Sequence, residues 1–280
     1  MSAPAVSVVV PTRNRAAYLA VTLESLAAQR IDLPYEVVVV DDGSSDSTRS
    51  VAESAGVTFR RHDSPRGPNA ARNTGIAETA APLIALVDDD VRAPAGWLAA
   101  LVAGAARYEW AEALGGPIRA SLEGRAPGTC GRESAPITTL DLGGADQETD
   151  FVWSANMAVR RSALERIGDF DEHVPIYGDE EEWLMRLHRA GGRAVYLAGA
   201  GLEHRRTGAD ARLRALAWAE YRRGRAARRN DLRKGTTSSL PRELRNLAGA
   251  GWHTVRRRCP QGLIMGAHSV GRLAETLRRP

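Results

Sequence analysis

The segments V-V-V-V-D-D-G-S (Val37 to Ser44) and L-I-A-L-V-D-D-D (Leu83 to Asp90) decide the fold. Each is a short apolar run that leads directly into carboxylates, which is the pattern of a buried strand with acids at its carboxyl end. Ligands of open α/β sheets bind outside the carboxyl ends of the strands. The two segments therefore predict a mostly parallel sheet with a charged site at one edge.

Strand-like runs alternate with helix-length amphipathic segments around these two segments, which is typical of β-α-β units. The predicted strands are residues 6–10, 36–40, 57–61, 83–87 and 193–197. The predicted helices are residues 18–30, 69–78, 161–167 and 178–190, with a further one that begins at Ser44 to Asp46 and ends near Ala55. The stretch 121–150 is rich in Gly, Pro, Ser and Thr, and it predicts a loop region over or beside the site.

We therefore expect an α/β catalytic domain over residues 1–205, with helices flanking a mostly parallel central sheet, and a basic, mainly helical extension over residues 206–280. The chain has 280 residues, of which 43% are apolar and 26% charged, a composition typical of soluble globular proteins. No signal-peptide pattern precedes the first strand, and no apolar run approaches the roughly 18 residues that cross a bilayer. These features predict a cytoplasmic protein.

Charge is distributed unevenly along the chain. Residues 1–204 contain 19 arginines against 29 acids, whereas residues 205–280 contain 19 basic residues against 5 acids. Within residues 212–229, apolar side chains recur at helical spacing among seven arginines, and residues 262–277 form a second, weaker pattern of this kind. A basic amphipathic helix can lie on an anionic membrane surface, at the inner face of the cell membrane, or it can pack against an acidic domain. Nucleic-acid motifs are absent from the sequence, so we expect no nucleic-acid partner.

The two cysteines, Cys130 and Cys259, are far apart and have no C-x-x-C spacing. This pattern argues against a disulfide framework and against a structural zinc site. We assign them no role from the sequence.

The three consecutive carboxylates Asp88 to Asp90 would repel one another after a buried strand unless a cation neutralised them. A divalent metal is the simplest cation, and oxygen ligands suit Mg²⁺ or Mn²⁺. The alternative is a solvated turn before the helix start at Pro94. The pair Asp41 and Asp42 is either a helix-capping turn or a set of acceptors for a base ring or a ribose hydroxyl. The chain lacks G-x-G-x-x-G after the first strand and lacks a P-loop motif, which argues against a dinucleotide-binding fold and a P-loop NTPase.

Six motifs in order resemble those of family 2 glycosyltransferases with the GT-A fold, and they cover roughly residues 5 to 205. They are V-S-V-V-V-P-T-R-N-R (6–15), V-V-V-V-D-D-G-S-S-D (37–46), A-A-R-N-T-G-I-A (70–77), L-V-D-D-D (86–90), S-A-N-M-A-V-R-R (154–161) and G-D-E-E-E-W-L-M-R-L (178–187). The resemblance implies an inverting transferase that moves a sugar from a nucleotide-diphosphate donor to a glycan, lipid-linked or other hydroxyl acceptor. It also implies a role in cell-surface polysaccharide or glycoconjugate assembly, and the motifs are compatible with UDP, GDP and dTDP sugars.

The same resemblance implies roles for single residues on the donor side. Pro11, Thr12 and Asp42 match positions that hold the nucleotide base, with Asp41 beside them, and Arg72 matches a basic residue near the donor phosphates. In the D-x-D region, Asp89 is the expected ribose contact, and Asp90, with Asp88, is the expected metal ligand. Arg13 stands where an aromatic residue is common in the family, which puts base stacking in question.

On the acceptor side, the resemblance implies that Glu180 is the catalytic base, with Asp179 beside it, because G-D-E stands where the family usually has G-E-D. Periodicity supports Glu180 independently, since Trp183, Leu184 and Leu187 follow it at helical spacing and predict a core-facing stripe. Glu182, four residues before Arg186, is expected to form a surface ion pair. Trp153 and Asn156 match the acceptor-side segment. His204 lies where some relatives place a histidine on the metal or diphosphate, although it is equally consistent with a surface residue.

Two other classes of protein are compatible with parts of this pattern. A catalytically silent member would bind the nucleotide sugar or act as a scaffold in polysaccharide assembly, and the inverted Asp179-Glu180 pair keeps that alternative open. A sugar-nucleotide pyrophosphorylase would have a Gly-rich phosphate loop after its first strand, and Val10-Pro11-Thr12 does not provide one.

Overall fold

The structure, a computed structural model, describes residues 3–124, 126–128, 130–131, 135–174, 178–235 and 240–278. The chain forms two compact units. The first unit contains Met1–Arg119 and Thr139–His204, and the second contains Ala120–Thr138 and Arg205–Pro280. The domain boundary predicted near residue 205 remains a prediction, and the contacts group residues 120–138 with the C-terminal helices.

An eight-stranded sheet with the order β3-β2-β1-β4-β9-β6-β10-β8 forms the centre of the first unit. The bounds are β1 Val6–Thr12, β2 Tyr35–Asp41, β3 Thr58–Arg61, β4 Leu83–Val87, β5 Val91–Arg92, β6 Ala113–Gly115, β7 Ile118–Leu122, β8 Gln147–Thr149, β9 Asn156–Arg160, β10 Ala194–Tyr196 and β11 Leu202–Arg206. Strands β3, β2, β1 and β4 are parallel, whereas β9 runs antiparallel between β4 and β6. The mostly parallel α/β sheet predicted from the sequence is thus confirmed.

Helices cover both faces of this sheet, which explains why β4 is apolar throughout and why β1 and β2 are mostly apolar. The helices of the first unit are α1 Ala16–Ala27, α2 Thr48–Ser54, α3 Pro68–Ala77, α4 Trp97–Arg107, α5 Arg161–Ile167 and α6 Asp179–Arg189. Val8 and Val10 pack in one buried cluster with α1 and α4, whereas the intervening Val9 packs in another with α6. Alternate side chains of one strand therefore enter two cores.

Gly75 of α3 allows this helix to lie directly on the sheet. A Cβ atom at this position would come within 2.3 Å of Val9 Cγ1, so any side chain would force α3 away from β1. Close packing of α3 on β1 thus requires the glycine of the motif A-A-R-N-T-G-I-A. The same close packing determines how far Arg72, on the same helix, lies from the strand ends.

The second unit contains the long helices α7 Leu213–Arg233, α8 Leu240–Arg256 and α9 Gln261–Leu277. Glycines bring α7 and α9 into backbone contact, because a Cβ atom on Gly224 would lie 2.0 Å from the carbonyl oxygen of His268. Gly271 meets the carbonyl of Tyr221 in the same way, at 2.1 Å. The predicted helices at 212–229 and 262–277 are confirmed, and the structure adds α8.

Within the described residues, no helix is both long enough and apolar enough to span a bilayer.

Three strands of the central sheet were not predicted. β6, β8 and β9 are three to five residues long, and β9 lies within a motif that was identified by resemblance alone. Residues 121–150, predicted as a loop, carry the end of β7 and the whole of β8. Short strands of this kind have too few residues for a periodic signal.

Candidate functional site

The carboxyl ends of β1, β2 and β4 meet at one edge of the sheet. Thr12, the last residue of β1, pairs in register with Asp41, the last residue of β2. Its hydroxyl donates to Asp89 Oδ2 at 2.7 Å, and its carbonyl accepts from the amide of Asp42 at 2.9 Å. The two acidic segments are therefore connected through Thr12, and the edge predicted to bear the charged site is the edge where the acids lie.

Arg15 lies between the last two acids of the triplet. Its Nη1 atom is 3.0 Å from Asp89 Oδ1, and its Nη2 atom is 2.7 Å from Asp90 Oδ2. Burial lowers the pKa of Arg15, but the charges of Asp90 and Asp89 outweigh this effect and raise the pKa above its usual value. Part of the neutralisation that we expected from a metal is thus supplied by an arginine to which we assigned no role from the sequence.

Asp89 is a buried acid whose pKa is strongly raised. Burial raises the pKa of Asp89 to about 7, because the attraction of Arg15 and the hydrogen bond from Thr12 offset only part of the cost of desolvation. Its side chain is held on both oxygens by these two residues. Asp89 thus braces the β1 and β4 strand ends from within the protein.

Asp88, Asp90 and His204 form a cluster in which one ligand atom from each residue lies within 4.8 Å of the others. His204 Nε2 is 3.1 Å from Asp90 Oδ1, and both side chains are almost fully buried. β11 brings His204 to this position, because the residue pairs in register with Val91, which directly follows Asp90. Two carboxylates and one imidazole can hold a divalent metal ion, and the carboxylate oxygens are ligands that suit Mg²⁺ and Mn²⁺. The three residues named as metal ligands from the sequence are thus brought together.

Arg72 provides a buried cation beside this cluster. Its Nη2 atom lies 3.6 Å from Asp88 Oδ1 and donates to Ser154 Oγ at 2.9 Å. Its Nη1 atom donates to Asn69 Oδ1 at 2.9 Å. These contacts fix the guanidinium beside the carboxyl end of β4. An anion bound at the Asp88, Asp90 and His204 cluster would lie close to this positive charge.

Asp42 shapes the loop before α3. Its Oδ1 atom accepts from the amide of Arg66 at 2.7 Å and contacts His62 Nδ1 at 2.9 Å, and its Oδ2 atom accepts from the amide of Gly67 at 2.9 Å. Burial raises the pKa of Asp42, but these hydrogen bonds outweigh it and hold the pKa below its ordinary value. Both carboxylate oxygens of Asp42 are thus already occupied by the protein.

Its neighbour Asp41 has more capacity for a ligand. Asp41 Oδ1 accepts from the amide of Ser44 at 2.8 Å. Asp41 Oδ2 is buried and has no hydrogen-bond partner among the described residues, although Arg61 Nη1 lies 3.7 Å away. Because an unpaired buried acceptor is costly, Asp41 is the better candidate of the two for a bond to a base or ribose.

The first turn of α6 carries the predicted base. Glu180 is buried, and Trp183, Leu184 and Leu187 pack in the core below it, so the predicted core-facing stripe is present. Glu182 forms the expected ion pair with Arg186, at 2.8 Å. The side chain of Asp179 lies outside the described part of the structure.

Asn156 is held inside the fold. Its Oδ1 atom accepts from Trp97 Nε1 at 2.8 Å, and its Nδ2 atom donates to the carbonyls of Ala200 at 2.8 Å and Pro117 at 3.2 Å. Because its side chain is buried and is bonded to the start of α4 and to the backbone at Pro117 and Ala200, we do not retain the acceptor-side role expected for Asn156. Trp153 is half-buried against the core beside Phe151, with ring centroids 5.0 Å apart.

Pro11 precedes Thr12 within β1, and Arg13 directly follows the strand. Pro11 is half-buried and Arg13 is exposed. Asn14 follows with a positive φ of 53°, and its side chain accepts from the amide of Ser45 at 2.7 Å. This left-handed turn directs the chain from β1 into α1 and places Arg15 over the acids, so the second arginine of T-R-N-R, rather than the first, faces the triplet.

The fold is that of the GT-A glycosyltransferases. A solved structure with the same fold, a mannosyltransferase from Pyrobaculum calidifontis in complex with GDP-Man and Mn²⁺, matches with a TM-score of 0.60 at 19% identity, over 100% of this chain and 77% of that one. The chain belongs to glycosyl transferase family 2, whose sequence model matches residues 7–168.

Characterised relatives match at moderate identity. The pre-mycofactocin glycosyltransferase of Mycobacterium tuberculosis is 34% identical over 201 residues, which are 68% of this chain and 40% of the relative. The validoxylamine A glucosyltransferase of Streptomyces hygroscopicus subsp. jinggangensis is 30% identical over 220 residues, 67% of this chain and 52% of the relative. The chain thus spans about half the length of these two relatives or less.

Proposed function

We propose that this protein is an inverting, metal-dependent glycosyltransferase that moves a sugar from a nucleotide-diphosphate donor to an acceptor hydroxyl. The observation that carries the proposal is the cluster of Asp88, Asp90 and His204 at the carboxyl edge of the sheet, beside the buried guanidinium of Arg72. A site with both a divalent-cation donor set and a fixed cation suits a pyrophosphate. Family membership and the activities of the relatives support the same function.

On the donor side, Asp88, Asp90 and His204 would hold Mn²⁺ or Mg²⁺, which when bound supplies positive charge beside the diphosphate. Arg72 would contribute a second, preorganised positive charge to the leaving group. Preorganised electrostatic stabilisation of this kind usually accelerates a reaction more than any other single effect in an active site. Thr12 and Asp41, with Pro11 and Arg13 at the rim, would bind the nucleoside.

On the acceptor side, Glu180 would take the proton from the attacking hydroxyl. Its position at the start of α6 favours this role, because the underlying Trp183, Leu184 and Leu187 fix the helix against the core. A base held in place contributes typically about 10² to 10⁴-fold to the rate. Trp153 is the remaining candidate for contact with the acceptor.

Transfer from a panel of UDP, GDP and dTDP sugars, with and without Mn²⁺, tests this proposal. We expect release of nucleoside diphosphate that depends on the metal and on an added acceptor, and a large loss of rate in Asp90→Asn. The alternative is a catalytically silent member. Such a protein would bind a nucleotide sugar with Mn²⁺ but would release no nucleoside diphosphate with any acceptor. That result would contradict the proposed catalysis.

The surface of the second unit supports docking on an anionic membrane. Three of its acids, Glu220, Glu243 and Glu275, are buried, and each pairs with an arginine of the same helical bundle. Many arginines remain exposed and have no ion pair within the described residues: Arg212, Arg214, Arg222, Arg242, Arg245, Arg256, Arg257 and Arg258. These three acids thus point inward, and the exposed arginines make the exterior of the bundle basic.

The same bundle exposes large apolar side chains. Trp218 of α7 is 60% exposed and Trp252 of α8 is 66% exposed. An apolar groove of about 1160 Å³ lies between the three helices, with Trp218, Leu263 and Val270 among its lining residues and Arg212 and Arg214 at its wall. Exposed tryptophans beside unpaired arginines are typical of helices that lie in a bilayer interface. We propose that this face binds anionic phospholipid, which would place the enzyme beside a lipid-linked acceptor.

Flotation of the full chain with vesicles tests the docking proposal. We expect binding to phosphatidylglycerol-containing vesicles that weakens with salt, because each arginine near an anionic surface contributes about 1 kcal/mol. Trp218→Ala combined with Trp252→Ala should reduce flotation. Trp110→Ala, at an exposed tryptophan of the first unit, is the matched control. Equal flotation of the double variant and the control, or none with the unmodified protein, would contradict membrane docking.

A further inference from the structure

Both cysteines of the chain lie beside the same histidine in the second unit. Cys130, His253 and Cys259 each offer a ligand atom, and these three atoms lie within 4.8 Å of one another. Cys130 Sγ is 3.3 Å from His253 Nε2, although 123 residues separate the two in sequence. The chain has two cysteines and six histidines. The fold thus brings both of its thiols to one imidazole.

We propose that Cys130, His253 and Cys259 bind a zinc ion that joins three segments of the second unit. Thiolate and imidazole are the ligands that Zn²⁺ prefers, and zinc bonds of about 2.3 Å to sulfur and 2.0 Å to nitrogen put tetrahedral ligand atoms roughly 3.5 to 3.8 Å apart. Cys130 Sγ and His253 Nε2 are 3.3 Å apart, and all three ligand atoms lie within 4.8 Å of one another, so side-chain adjustments would bring them to zinc-binding distances. This site goes beyond the proposed sugar transfer, since it lies in the second unit and shares no residue with the cluster of Asp88, Asp90 and His204.

The surroundings of the cluster favour a cation that is reached from one side. His253 and Cys259 are buried, whereas Cys130 is exposed, so an ion can enter past Cys130 and a water can take the fourth position. His253 lies in the last turn of α8, where the partial negative charge of the helix end favours a cation.

A bound ion would add a link between the segment that carries Cys130 and the end of α8 with the turn that follows it. Cys130 lies in the segment before β8, His253 near the end of α8, and Cys259 in the turn that precedes α9. Cys259 Sγ also lies 4.0 Å from the carbonyl of Gly128, and Gln261 Nε2 donates to the carbonyl of Pro127 at 3.4 Å. The zinc site would thus fix the segment that carries Cys130 to the turn between α8 and α9. The spacing of the two cysteines in the sequence does not predict this link.

Cobalt(II) titration of the reduced, chelator-stripped full chain tests this proposal, because thiolate ligands give cobalt a charge-transfer absorption that oxygen and nitrogen ligands do not. We expect one equivalent to produce this band, and zinc to displace it. Cys130→Ser and Cys259→Ser should each weaken the band and the metal affinity at least about tenfold, and His253→Asn should weaken the affinity similarly. His173→Asn, at an exposed histidine of the first unit, is the matched control.

His204→Asn separates this site from the proposed catalytic one. That variant should keep the charge-transfer band, because the cluster of Asp88, Asp90 and His204 contains no sulfur. Should a cysteine variant fail to fold, the rate of thiol alkylation in the unmodified protein gives the same answer, since bound zinc should protect two thiols. No band with cobalt and no protection by zinc would overturn the proposal, as would a Cys130–Cys259 disulfide in protein purified without reductant.

Discussion

His204 Nε2 lies 3.1 Å from Asp90 Oδ1, although the two residues are far apart in the sequence. Asp90 closes the acidic triplet after β4, whereas His204 belongs to β11, the last strand in the described part of the chain. The contact depends on the antiparallel pairing of β11 with the short strand β5, which directly follows the triplet. Strand pairing thus brings His204 to the two carboxylates, Asp88 and Asp90, that follow β4, and completes the group proposed to hold a metal.

Glu180→Gln should abolish most of the transfer while leaving donor binding intact. The substitution removes the proton acceptor with little change in size, so we expect kcat to fall about 10² to 10⁴-fold. The affinity for the nucleotide measured by calorimetry should stay near that of the unmodified protein. Glu182→Gln is the control on the same helix, because Glu182 forms only a half-exposed pair with Arg186. Similar rates for the two variants would contradict the role of Glu180.

Arg15→Gln should destabilise the metal-free protein and increase its response to metal. Asp89 and Asp90 are buried, and the loss of their shared cation would cost about 2 kcal/mol in the free energy of unfolding, which is less than for a fully buried pair because Arg15 is 31% exposed. Denaturant titration with and without Mn²⁺ measures both effects. Arg49→Gln, which removes the exposed Arg49–Glu53 pair, should change stability by less than about 0.5 kcal/mol.

If Mn²⁺ raised the stability of Arg15→Gln no more than that of the unmodified protein, Arg15 would not be neutralising the same carboxylates as the metal. The variant is informative for that reason even without an activity assay. A ligand that binds only the folded state stabilises it by RT ln(1 + [L]/Kd), so at one metal concentration the protein that binds the metal more tightly gains more stability.

Asp42→Asn should reduce stability at neutral pH and have a smaller effect in acid. Because hydrogen bonds hold the pKa of Asp42 below its ordinary value, the folded state binds the proton more weakly than the unfolded chain. The resulting stabilisation is present above the ordinary pKa, near 4, and is lost as the pH falls through the lower folded pKa. We expect a loss of about 1.5 to 3 kcal/mol at neutral pH from the hydrogen bonds of the charged group.

Denaturant titration of Asp42→Asn and the unmodified protein at several pH values measures this difference. The two stability curves should converge as the pH is lowered below about 4. Asp63→Asn, at an exposed aspartate of the same loop region, serves as the control. A constant gap between Asp42→Asn and the unmodified protein over the whole range would show that the charge of Asp42 contributes nothing through its hydrogen bonds.

The sequence predicts the sheet and its charged edge well because both follow from local patterns. The runs Val37 to Val40 and Leu83 to Val87 are apolar throughout, since helices cover both faces of the sheet, and the acids that follow them must lie at its carboxyl edge. The helical stripe from Glu180 to Leu187 is equally local. These features depend on neighbours within a few residues, which a single sequence displays.

The features that were missed depend on contacts between distant residues. Nothing in the local sequence distinguishes Arg15 from other arginines, because only the turn at Asn14 places it between Asp89 and Asp90. Asn156 lies in a family motif, yet its side-chain amide is bonded to Trp97, Pro117 and Ala200 inside the fold rather than exposed to an acceptor. Cys130 and Cys259 have no characteristic spacing because tertiary structure alone unites them. No periodicity or short motif reports such pairings.

Calorimetric titration with UDP, GDP and dTDP, each with and without Mn²⁺, tests most directly the claim that the Asp88, Asp90 and His204 cluster and Arg72 form one site for a metal-bound pyrophosphate. The unmodified protein should bind at least one of these nucleotides at one equivalent in the presence of Mn²⁺, and much more weakly without it. Asp90→Asn should lose the metal-dependent part of the affinity. Equal affinity in the two proteins, or no uptake of any of the three nucleotides with Mn²⁺, would contradict the account.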